Sequence, residues 1–322
     1  MIVPATPDSI RIAAEQLRAC DVVAIPTETV YGLACSIECQ QAIARVFALK
    51  GRPADNPLIV HVASIEQALE LANAVDHDVV RRLGTAFWPG PLTVVVRRSA
   101  NVSDAVTAGL DTVALRMPAH PVTLEIIRLA GVALAAPSAN LSGRPSPTRA
   151  QHVEDDLGDA VMVVDAGPSQ YGLESTVVRL IGDDLVILRQ GAVSAAALES
   201  ILQGTSVRTA HEVDDRHRSP GTRHRHYAPR IPVMLCRDRD EFKGVLASIP
   251  DLRVQVLCSL DAIADLAYPD ARVISASTVF DEFRRAEALQ VDRIVVLCDD
   301  RLLSDAALMN RLETAAGNVD FK

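Results

Sequence analysis

The sequence contains few aromatic residues and lacks the motifs of several common enzyme classes. Phe, Trp and Tyr make up only 3% of its 322 residues. The core is therefore expected to consist of Ala, Val, Leu and Ile, which favours helices packed on a sheet over an aromatic-rich β-sandwich. The chain contains no GxxxxGK[ST] phosphate loop, no GxGxxG dinucleotide motif, no GxSxG nucleophile motif and no paired-His zinc motif. These absences argue against the standard nucleotide-binding folds and against covalent catalysis by a protein nucleophile.

Long apolar runs are also absent. No segment reaches about 18 uninterrupted apolar residues, and the stretch MIVPATPDS lacks a basic region followed by an apolar one. The sequence therefore predicts neither a membrane span nor a signal peptide. Cys20, Cys236, Cys258 and Cys298 lie in or beside apolar runs, as expected of buried thiols in a reducing compartment. These features together predict a cytoplasmic protein.

A metal site is not expected at Cys35 and Cys39. These two residues form a CxxxC pattern, and no second pair of ligands with zinc-site spacing accompanies it. Structural zinc sites need four ligands, commonly supplied as two such pairs.

The charge is distributed unevenly along the chain. The formal net charge is −9, and residues 1–215 carry 16 Lys and Arg against 25 Asp and Glu. Residues 231–322 are acidic as well, with 11 basic against 16 acidic side chains. Between them, the segment RHRSPGTRHRHYAPR at 216–230 contains five Arg, three His and no acid. Neither large block has the overall charge of a nucleic-acid-binding protein, so any polyanion site is expected to be local.

The pattern of apolar residues predicts two α/β domains. A chain of 322 residues exceeds one comfortable core. Up to about residue 204, some predicted strands follow one another directly, which indicates a mixed, twisted sheet with flanking helices. After Pro229, strands and helices alternate, as in a smaller Rossmann-like parallel domain. The predicted organisation is a catalytic domain at 1–204, a linker at 205–230 and a C-terminal α/β domain at 231–322.

Several predicted loops next to strands contain hydroxyl groups and cations. In KGRPADNPLIVHV (50–62), Lys50 and Arg52 are spaced to straddle a polyphosphate. A plainer interpretation is that Lys50 only complements the dipole of the preceding helix, although this leaves Arg52 unexplained. Arg116 ends a predicted strand, where it is suited to binding a carboxylate or to forming a surface ion pair. His61 lies in an apolar strand, where a packed, hydrogen-bonded histidine is the common case.

Other loops add to this pattern. PTETVYGL (26–33) follows a predicted strand with several hydroxyls and a carboxylate, and APSANLSGRPSPT (136–148) offers hydroxyls with Gly143 to permit close approach of a ligand. GLESTVV (172–178) and ILRQG (187–191) supply Ser175 and Arg189. Each motif is weak alone, but together they indicate a site for an anionic, nucleotide-like ligand.

In this order, the motifs closely resemble the YrdC-like family of threonylcarbamoyl-AMP synthases in its longer, two-domain form. The matching stretches include PTETVYGL, KGRPADNPLIVHV, FWPGPLT, ALRMPAHP, APSANLSGRPSPT, LESTVV and LRQG, and SPGTRHRHYAP with ALMNRLETAAG matches the long form. The resemblance implies an ATP-dependent nucleotidyltransferase that makes threonylcarbamoyl-AMP and pyrophosphate from L-threonine, bicarbonate and ATP. It also implies Mg²⁺ bound through ATP. The product would serve tRNA threonylcarbamoyladenosine modification by a separate transferase complex.

The resemblance also implies roles for individual residues. The implied threonine pocket consists of Thr29, His61, Arg116, Ala136 and Ser175. The implied ATP contacts are Arg52, Asn56, Thr112, Ser138, Ser146, Arg189, His224 and Tyr227. Lys50 and Arg52 are the implied catalytic cations, with Lys50 over the phosphates. The sequence departs from the family pattern at Gln190, where Pro is usual, and at His224, where Tyr is usual.

The basic segment 216–230 has four interpretations: a nucleic-acid-binding tail, a metal cluster, a plain linker or part of the active site. Its acidic flanks disfavour the first, and its arginine charges would repel a metal ion. A plain spacer does not account for the aromatic residue of HYAP. The favoured hypothesis is an ordered lid whose arginines face the ATP phosphates, with Tyr227 and His224 beside the nucleotide.

Two functions from other classes remain as alternatives. An RNA-binding module is disfavoured by the acidic domains, so stable nucleic-acid binding is not expected. A carbamoyl-transferring enzyme of the hydrogenase-maturation type would need metal-binding and acylphosphatase regions that this chain lacks.

Overall fold

A computed structural model describes residues 1–202, 205–209, 227–266 and 268–317. The chain divides into two compact units. The first comprises residues 1–142 and 147–223, and the second comprises 143–146 and 224–322. The four residues 143–146 thus belong to the second unit, although the chain on both sides of them belongs to the first.

The first unit is built on a mixed sheet, as the sequence predicts. Within residues 1–202 and 205–209, eleven strands form this sheet in the order β1-β8-β2-β3-β7-β4-β6-β5-β9-β10-β11. The neighbours β4 and β6 are parallel, whereas β5 and β6 are antiparallel. The strands are β1 (Ile2–Pro4), β2 (Val23–Ile25), β3 (Gly32–Ser36), β4 (Ile59–His61), β5 (Leu92–Arg97), β6 (Thr112–Arg116), β7 (Leu134–Ala135), β8 (Met162–Asp165), β9 (Thr176–Ile181), β10 (Asp184–Arg189) and β11 (Ser206–Thr209).

Helices flank this sheet, and their ends follow local sequence signals. Thr6 caps the first helix in a capping box with Ser9. The second helix ends at Lys50 because Gly51 adopts a left-handed conformation with φ of 57°. The helices are α1 (Pro7–Arg18), α2 (Gln40–Lys50), α3 (Ile65–Leu71), α4 (His77–Phe87), α5 (Asp104–Thr107), α6 (Pro121–Ala130), α7 (Ala150–Leu157) and α8 (Ala195–Ile201).

The core consists mainly of aliphatic residues, as the low aromatic content predicts. The largest apolar cluster includes Leu33, Val60 and Leu115 and packs against α2, α3 and α4. A second cluster joins α1 and α6 to the sheet, and a third, smaller cluster includes Ile59 and Ala114. Ile59 and Val60 are consecutive in β4, so the larger and the smaller cluster lie on opposite faces of the sheet.

The second unit is a parallel α/β domain, in agreement with the strand–helix alternation of the sequence. Its described strands form a parallel sheet in the order β12-β15-β13-β14. These strands are β12 (Val233–Cys236), β13 (Val254–Cys258), β14 (Arg272–Val273) and β15 (Arg293–Leu297). The helices are α9 (Arg239–Ser248), α10 (Leu260–Ile263), α11 (Val279–Ala288), α12 (Asp300–Ser304) and α13 (Ala306–Ala316).

The predicted linker range, 205–230, overlaps the first sheet. Strand β11 pairs in parallel with β10 and lies within that range. Most of the basic segment, including His224, lies outside the described residues. The hypotheses of a lid and of a nucleotide contact at His224 therefore remain predictions.

The cysteine prediction was wrong at one position. Cys20 is exposed, and its sulfur forms a disulfide with Cys39. Cys20 follows the end of α1 and Cys39 immediately precedes α2, so the folding of these helices brings together residues that are 19 positions apart. Cys236, Cys258 and Cys298 are buried free thiols, as predicted, and Cys35 is a fourth. Among the helices that the structure describes, none is long and apolar enough to cross a membrane.

Candidate active site

Strands β4 and β6 place two predicted threonine ligands next to each other. His61 and Arg116 end these parallel strands and are paired in register. Side chains of paired positions point to the same face of a sheet. This face also carries Ile59 and Ala114 of the small apolar cluster. The residues therefore lie on the face opposite the main core.

A buried ion pair lies at the centre of this group. The Arg116 Nη2 atom donates a hydrogen bond of 2.7 Å to Glu28 Oε1. The two side chains are only 4% and 3% exposed, so the pair is almost removed from water. Arg116 Nε also donates to the carbonyl oxygen of Gly90 at 3.3 Å. The surface ion pair considered for Arg116 is thus excluded, and the guanidinium is fixed in a buried position.

The same surroundings alter the pKa values of the acid and the histidine. Burial alone would raise the pKa of the Glu28 carboxyl, but the Arg116 guanidinium and its hydrogen bond hold this pKa below its usual value. For His61, burial first and Arg116 second lower the pKa to about 3. At neutral pH the site therefore contains a carboxylate, a guanidinium and an uncharged imidazole.

Ser175 lies in a hydrogen-bonded group with Thr93 and Arg189. The Thr93 and Ser175 hydroxyl oxygens are 2.7 Å apart. Arg189 Nη2 donates to the Ser175 carbonyl oxygen at 3.0 Å and to its hydroxyl oxygen at 3.2 Å. Strands β5 and β9 pair in parallel, with Leu92 opposite Thr176, which explains why residues 93 and 175 meet. The structure thus places the predicted threonine ligand Ser175 in contact with the predicted ATP ligand Arg189.

Thr29 and Ala136 are the other two residues of the predicted threonine pocket. Thr29 is held through its hydroxyl group and Ala136 through its backbone. Thr29 is fully buried, and its hydroxyl lies 2.8 Å from that of Thr27, which donates onward to the carbonyl oxygen of Val30. Ala136 follows β7, and its N–H donates to the Ile59 carbonyl oxygen at 3.0 Å. A Cβ on Gly32 would lie 3.3 Å from the Ala136 Cβ, so the small residue lets the two segments approach closely.

Lys50, the cation predicted to lie over the phosphates, is buried in the structure. The side chain is 2% exposed, and Nζ donates to the carbonyl oxygens of Ser138 and Asn140 at 2.5 Å each. Burial first and the nearby charge of Arg52 second hold the pKa of Lys50 well below its usual value. Lys50 therefore ties the end of α2 to the loop that contains Ser138.

The remaining predicted ATP residues of the first unit gather at the other end of β4 and β6. Arg52 donates to the carbonyl oxygens of Asn56 and Pro57 at 3.1 and 2.8 Å. Asn56 is fully buried shortly before β4, and Thr112 is buried at the first position of β6. Thr112 and Arg116 are four positions apart in β6, a rise of roughly 13 Å. Thr112 thus lies at the start of the strand pair β4–β6, whereas His61 and Arg116 lie at its end.

Ser146 and Tyr227 belong to the second unit. Ser146 is 1% exposed, and the segment that carries it is attached to α11. Arg144 Nη2 lies 2.5 Å from Glu287 Oε2, and Arg284 donates to the Pro145 carbonyl oxygen at 2.6 Å. The fixed position of Ser146 in this unit therefore depends on contacts with α11.

Tyr227 packs as a core residue of the second unit. Its ring stacks on Phe280 with centroids 5.7 Å apart, and the Arg311 guanidinium carbon lies 4.8 Å from the ring centroid. The side chain is 6% exposed, and its φ of 64° is unusual for a residue with a side chain. This packing does not test the predicted contact of Tyr227 with the nucleotide, which remains a prediction.

Sequence reasoning did not assign functional roles to Glu28 and Thr93. Glu28 is the acid of PTETVYGL, and a lone carboxylate among hydroxyls in a loop was a signal that it needs a charged partner. Thr93 lies in the strand LTVVVRR, where a single hydroxyl gives no comparable signal. Its contact with Ser175 depends on the pairing of β5 with β9, which local sequence does not reveal.

The mixed sheet, the buried charged group of Arg116, Glu28 and His61 on one of its faces and the second parallel domain define a class: two-domain α/β proteins with a YrdC-like first domain. Comparisons with known families agree with this class. The family model for Sua5, YciO and YrdC, described as telomere recombination, matches residues 15–191. The model described as the C-terminal domain of threonylcarbamoyl-AMP synthase matches residues 193–317. The chain belongs to the threonylcarbamoyl-AMP synthase family.

Individual relatives match over nearly their whole length. The threonylcarbamoyl-AMP synthase of Pyrococcus abyssi is 39% identical over 320 residues, which cover 96% of this chain and 94% of the relative. The enzyme of Bacillus subtilis is also 39% identical, with 95% and 92% covered. Among solved structures, P. abyssi Sua5 complexed with L-threonine has a TM-score of 0.89 at 36% identity, with 98% of both chains covered.

Proposed function

We propose that this protein is an L-threonylcarbamoyladenylate synthase, which converts L-threonine, bicarbonate and ATP to threonylcarbamoyl-AMP and pyrophosphate. The main structural support is the buried Arg116 at the end of β6, next to His61 and Glu28 on one face of the sheet. A buried guanidinium binds a carboxylate strongly, as the α-carboxylate of threonine requires. The family and the relative solved with L-threonine support the same substrate.

ATP is assigned to the cations Arg52 and Arg189. Arg52 lies close enough to Lys50 to lower its pKa, and Arg189 contacts Ser175 of the threonine pocket. Arg189 would therefore lie between the two substrates, near the α-phosphorus that the threonine carbamate attacks. Two anionic reactants must approach each other, so cations that neutralise the developing charge are the main catalytic requirement.

Mg²⁺ is assigned to the triphosphate of ATP. This ion prefers phosphate, carboxylate and water oxygens as ligands. Lys50, Arg52 and Arg189 are cationic donors, which suit phosphate oxygens and not the metal ion itself. The protein would therefore bind the ion through its substrate, and the ion would add charge neutralisation at the phosphates.

The proposed product has a defined use. Threonylcarbamoyl-AMP is a reactive adenylate, so a downstream transferase complex would transfer its threonylcarbamoyl group to adenosine in tRNA. The proposal includes a cytoplasmic location, where ATP, bicarbonate and tRNA are available together. Stable binding of nucleic acid is not part of the proposed role.

The direct test is release of pyrophosphate from ATP by the purified full-length chain. We expect release to require L-threonine, bicarbonate and Mg²⁺ together, and mass spectrometry to detect threonylcarbamoyl-AMP. Omission of each component in turn is the control. No release with all components present would refute the proposal. A gel shift on duplex RNA at about 150 mM salt tests the RNA-binding alternative, for which we expect no shift.

A further inference from the structure

One carboxylate oxygen in the pocket is buried without a hydrogen bond. Glu28 is 3% exposed and uses Oε1 to accept from Arg116. Its other oxygen, Oε2, is buried and accepts no hydrogen bond from any described residue. Arg116 and, to a smaller extent, the backbone N–H groups of Ala119 and Glu28 offset the effect of burial on the pKa of this carboxyl, but no donor reaches Oε2 with the geometry of a normal hydrogen bond.

Such an oxygen is costly to bury. Native proteins pair most buried polar atoms, and a buried carboxylate is stabilised only when its lone pairs are used. The Arg116 guanidinium nevertheless keeps Glu28 ionised, because it holds the pKa of the carboxyl below its usual value. The pocket thus retains a negative charge with one oxygen available to a donor.

We propose that Glu28 binds the α-ammonium group of threonine through Oε2, while Oε1 keeps its hydrogen bond to Arg116. This inference rests on the proposed function, because it names a binding partner for the α-ammonium, the charged group of threonine that Arg116 does not bind. It makes Glu28 a substrate-binding and specificity-determining residue.

The arrangement of charges supports this assignment. The α-carboxylate and the α-ammonium of an amino acid are attached to one carbon, so their binding partners must also be neighbours. Arg116 and Glu28 are neighbours of opposite charge, 2.7 Å apart, and they are complementary to a zwitterion. The imidazole of His61 is uncharged at neutral pH, since burial and Arg116 lower its pKa to about 3. It therefore does not repel the ammonium group.

The pKa of His120 also reflects the negative charge of Glu28. Burial lowers its pKa, whereas the charge of Glu28 opposes this effect. The negative charge of Glu28 thus acts on His120 as well. A ligand with a carboxylate but no ammonium group would leave Glu28 Oε2 without a donor. The site is therefore expected to reject 3-hydroxybutyrate, which is threonine without its amino group.

The test compares two ligands with two proteins. Calorimetry of the full-length wild type should show binding of threonine at least 30-fold tighter than binding of 3-hydroxybutyrate. The Glu28→Gln variant should bind threonine about 10- to 100-fold more weakly, as expected for the loss of a charge-assisted hydrogen bond. Its affinity for 3-hydroxybutyrate should stay within about threefold of the wild-type value. Glu15→Gln, an exposed substitution on α1 that also removes an ion pair, is the matched control and should change neither affinity.

The outcomes separate the alternatives. If Glu28 acts only by holding Arg116 in place, Glu28→Gln weakens both ligands equally, because both present a carboxylate to Arg116. That result, or unchanged binding of threonine, overturns the inference. Failure of the wild type to bind threonine and to release pyrophosphate would instead refute the proposed function.

A second variant covers the case in which Glu28→Gln does not fold. Glu28→Asp keeps the charge and should retain a preference of at least tenfold for threonine over 3-hydroxybutyrate. Loss of that preference in a folded Glu28→Asp protein would also overturn the inference. The wild-type comparison needs no variant, so a wild type without the preference contradicts the inference directly.

Discussion

Lys50 Nζ lies 2.5 Å from the carbonyl oxygen of Ser138 and the same distance from that of Asn140. The N–H of Ser142 donates back to the Lys50 carbonyl oxygen at 2.8 Å. The last residue of α2 therefore holds the loop after β7 at three points. Lys50 is thus both a candidate phosphate-binding cation and a support for the loop that contains Ser138.

Substitution of Lys50 should therefore impair both activity and stability. Lys50→Met removes the charge, and it leaves two buried carbonyl oxygens without a donor, at a cost of roughly 1–3 kcal/mol each. We expect pyrophosphate release to fall at least tenfold and the free energy of unfolding in urea to fall by about 2–4 kcal/mol. Arg52→Ala should reduce activity similarly with a smaller loss of stability, because Arg52 is less buried.

Arg45→Ala is the matched control for both variants. Arg45 lies on the same helix, is 44% exposed and pairs with Asp21 at the surface. We expect wild-type kinetics from this variant. Full activity of both Lys50→Met and Arg52→Ala would contradict the assignment of these cations to the triphosphate.

Sequence patterns were sufficient to predict the elements that carry most of the candidate site. Short β-branched runs place His61 and Arg116 in strands, which agrees with the observed bounds of β4 and β6. Strand formation in such runs depends on local backbone preferences and on the pattern of apolar residues, and both can be read from the sequence. The α4 helix was missed, although its buried positions Val79, Val80 and Leu83 have helical spacing.

Long-range partners were not predictable in the same way. The ion pair of Glu28 with Arg116 joins residues 88 positions apart, and the Cys20–Cys39 disulfide joins two helix ends. Both depend on strand order and helix packing, which local patterns do not specify. Burial of Lys50 also depends on a loop 88 to 90 positions further along the chain.

Tyr227 should contribute strongly to the stability of the second unit. Its ring is buried against Phe280 and lies under the Arg311 guanidinium. Tyr227→Ala should lower the free energy of unfolding of this unit by roughly 3–5 kcal/mol, as for other buried aromatic residues. Tyr227→Phe keeps the stacked ring and should cost less than about 1.5 kcal/mol. Hydrogen exchange of the amides in 227–317 measures the loss, and equal protection in Tyr227→Ala and the wild type would contradict the packing role.

The Cys20–Cys39 disulfide should stabilise the first unit. A cross-link between residues 19 positions apart lowers the entropy of the unfolded chain, which corresponds to about 3 kcal/mol. We expect the Cys20→Ser/Cys39→Ser double variant to lose about this amount in urea unfolding. A reducing agent should lower the stability of the wild type to the same level and leave the double variant unchanged. The number of reactive thiols is counted in the wild type after unfolding without a reducing agent. A count of six would show that the disulfide does not form.

His61 should make stability dependent on pH. In the folded protein, burial and Arg116 lower its pKa to about 3, from 6.5 for an ordinary histidine. Between these values the unfolded chain binds a proton that the folded protein does not, so the free energy of unfolding decreases as the pH falls from about 6.5. From pH 7 to pH 5 this contribution amounts to about 2 kcal/mol. His61→Gln should lack it, which makes its urea midpoint less sensitive to pH in this interval. Glu28 is present in both proteins, so its titration cancels from the comparison. Parallel pH profiles of variant and wild type would therefore show that His61 is protonated in the folded state.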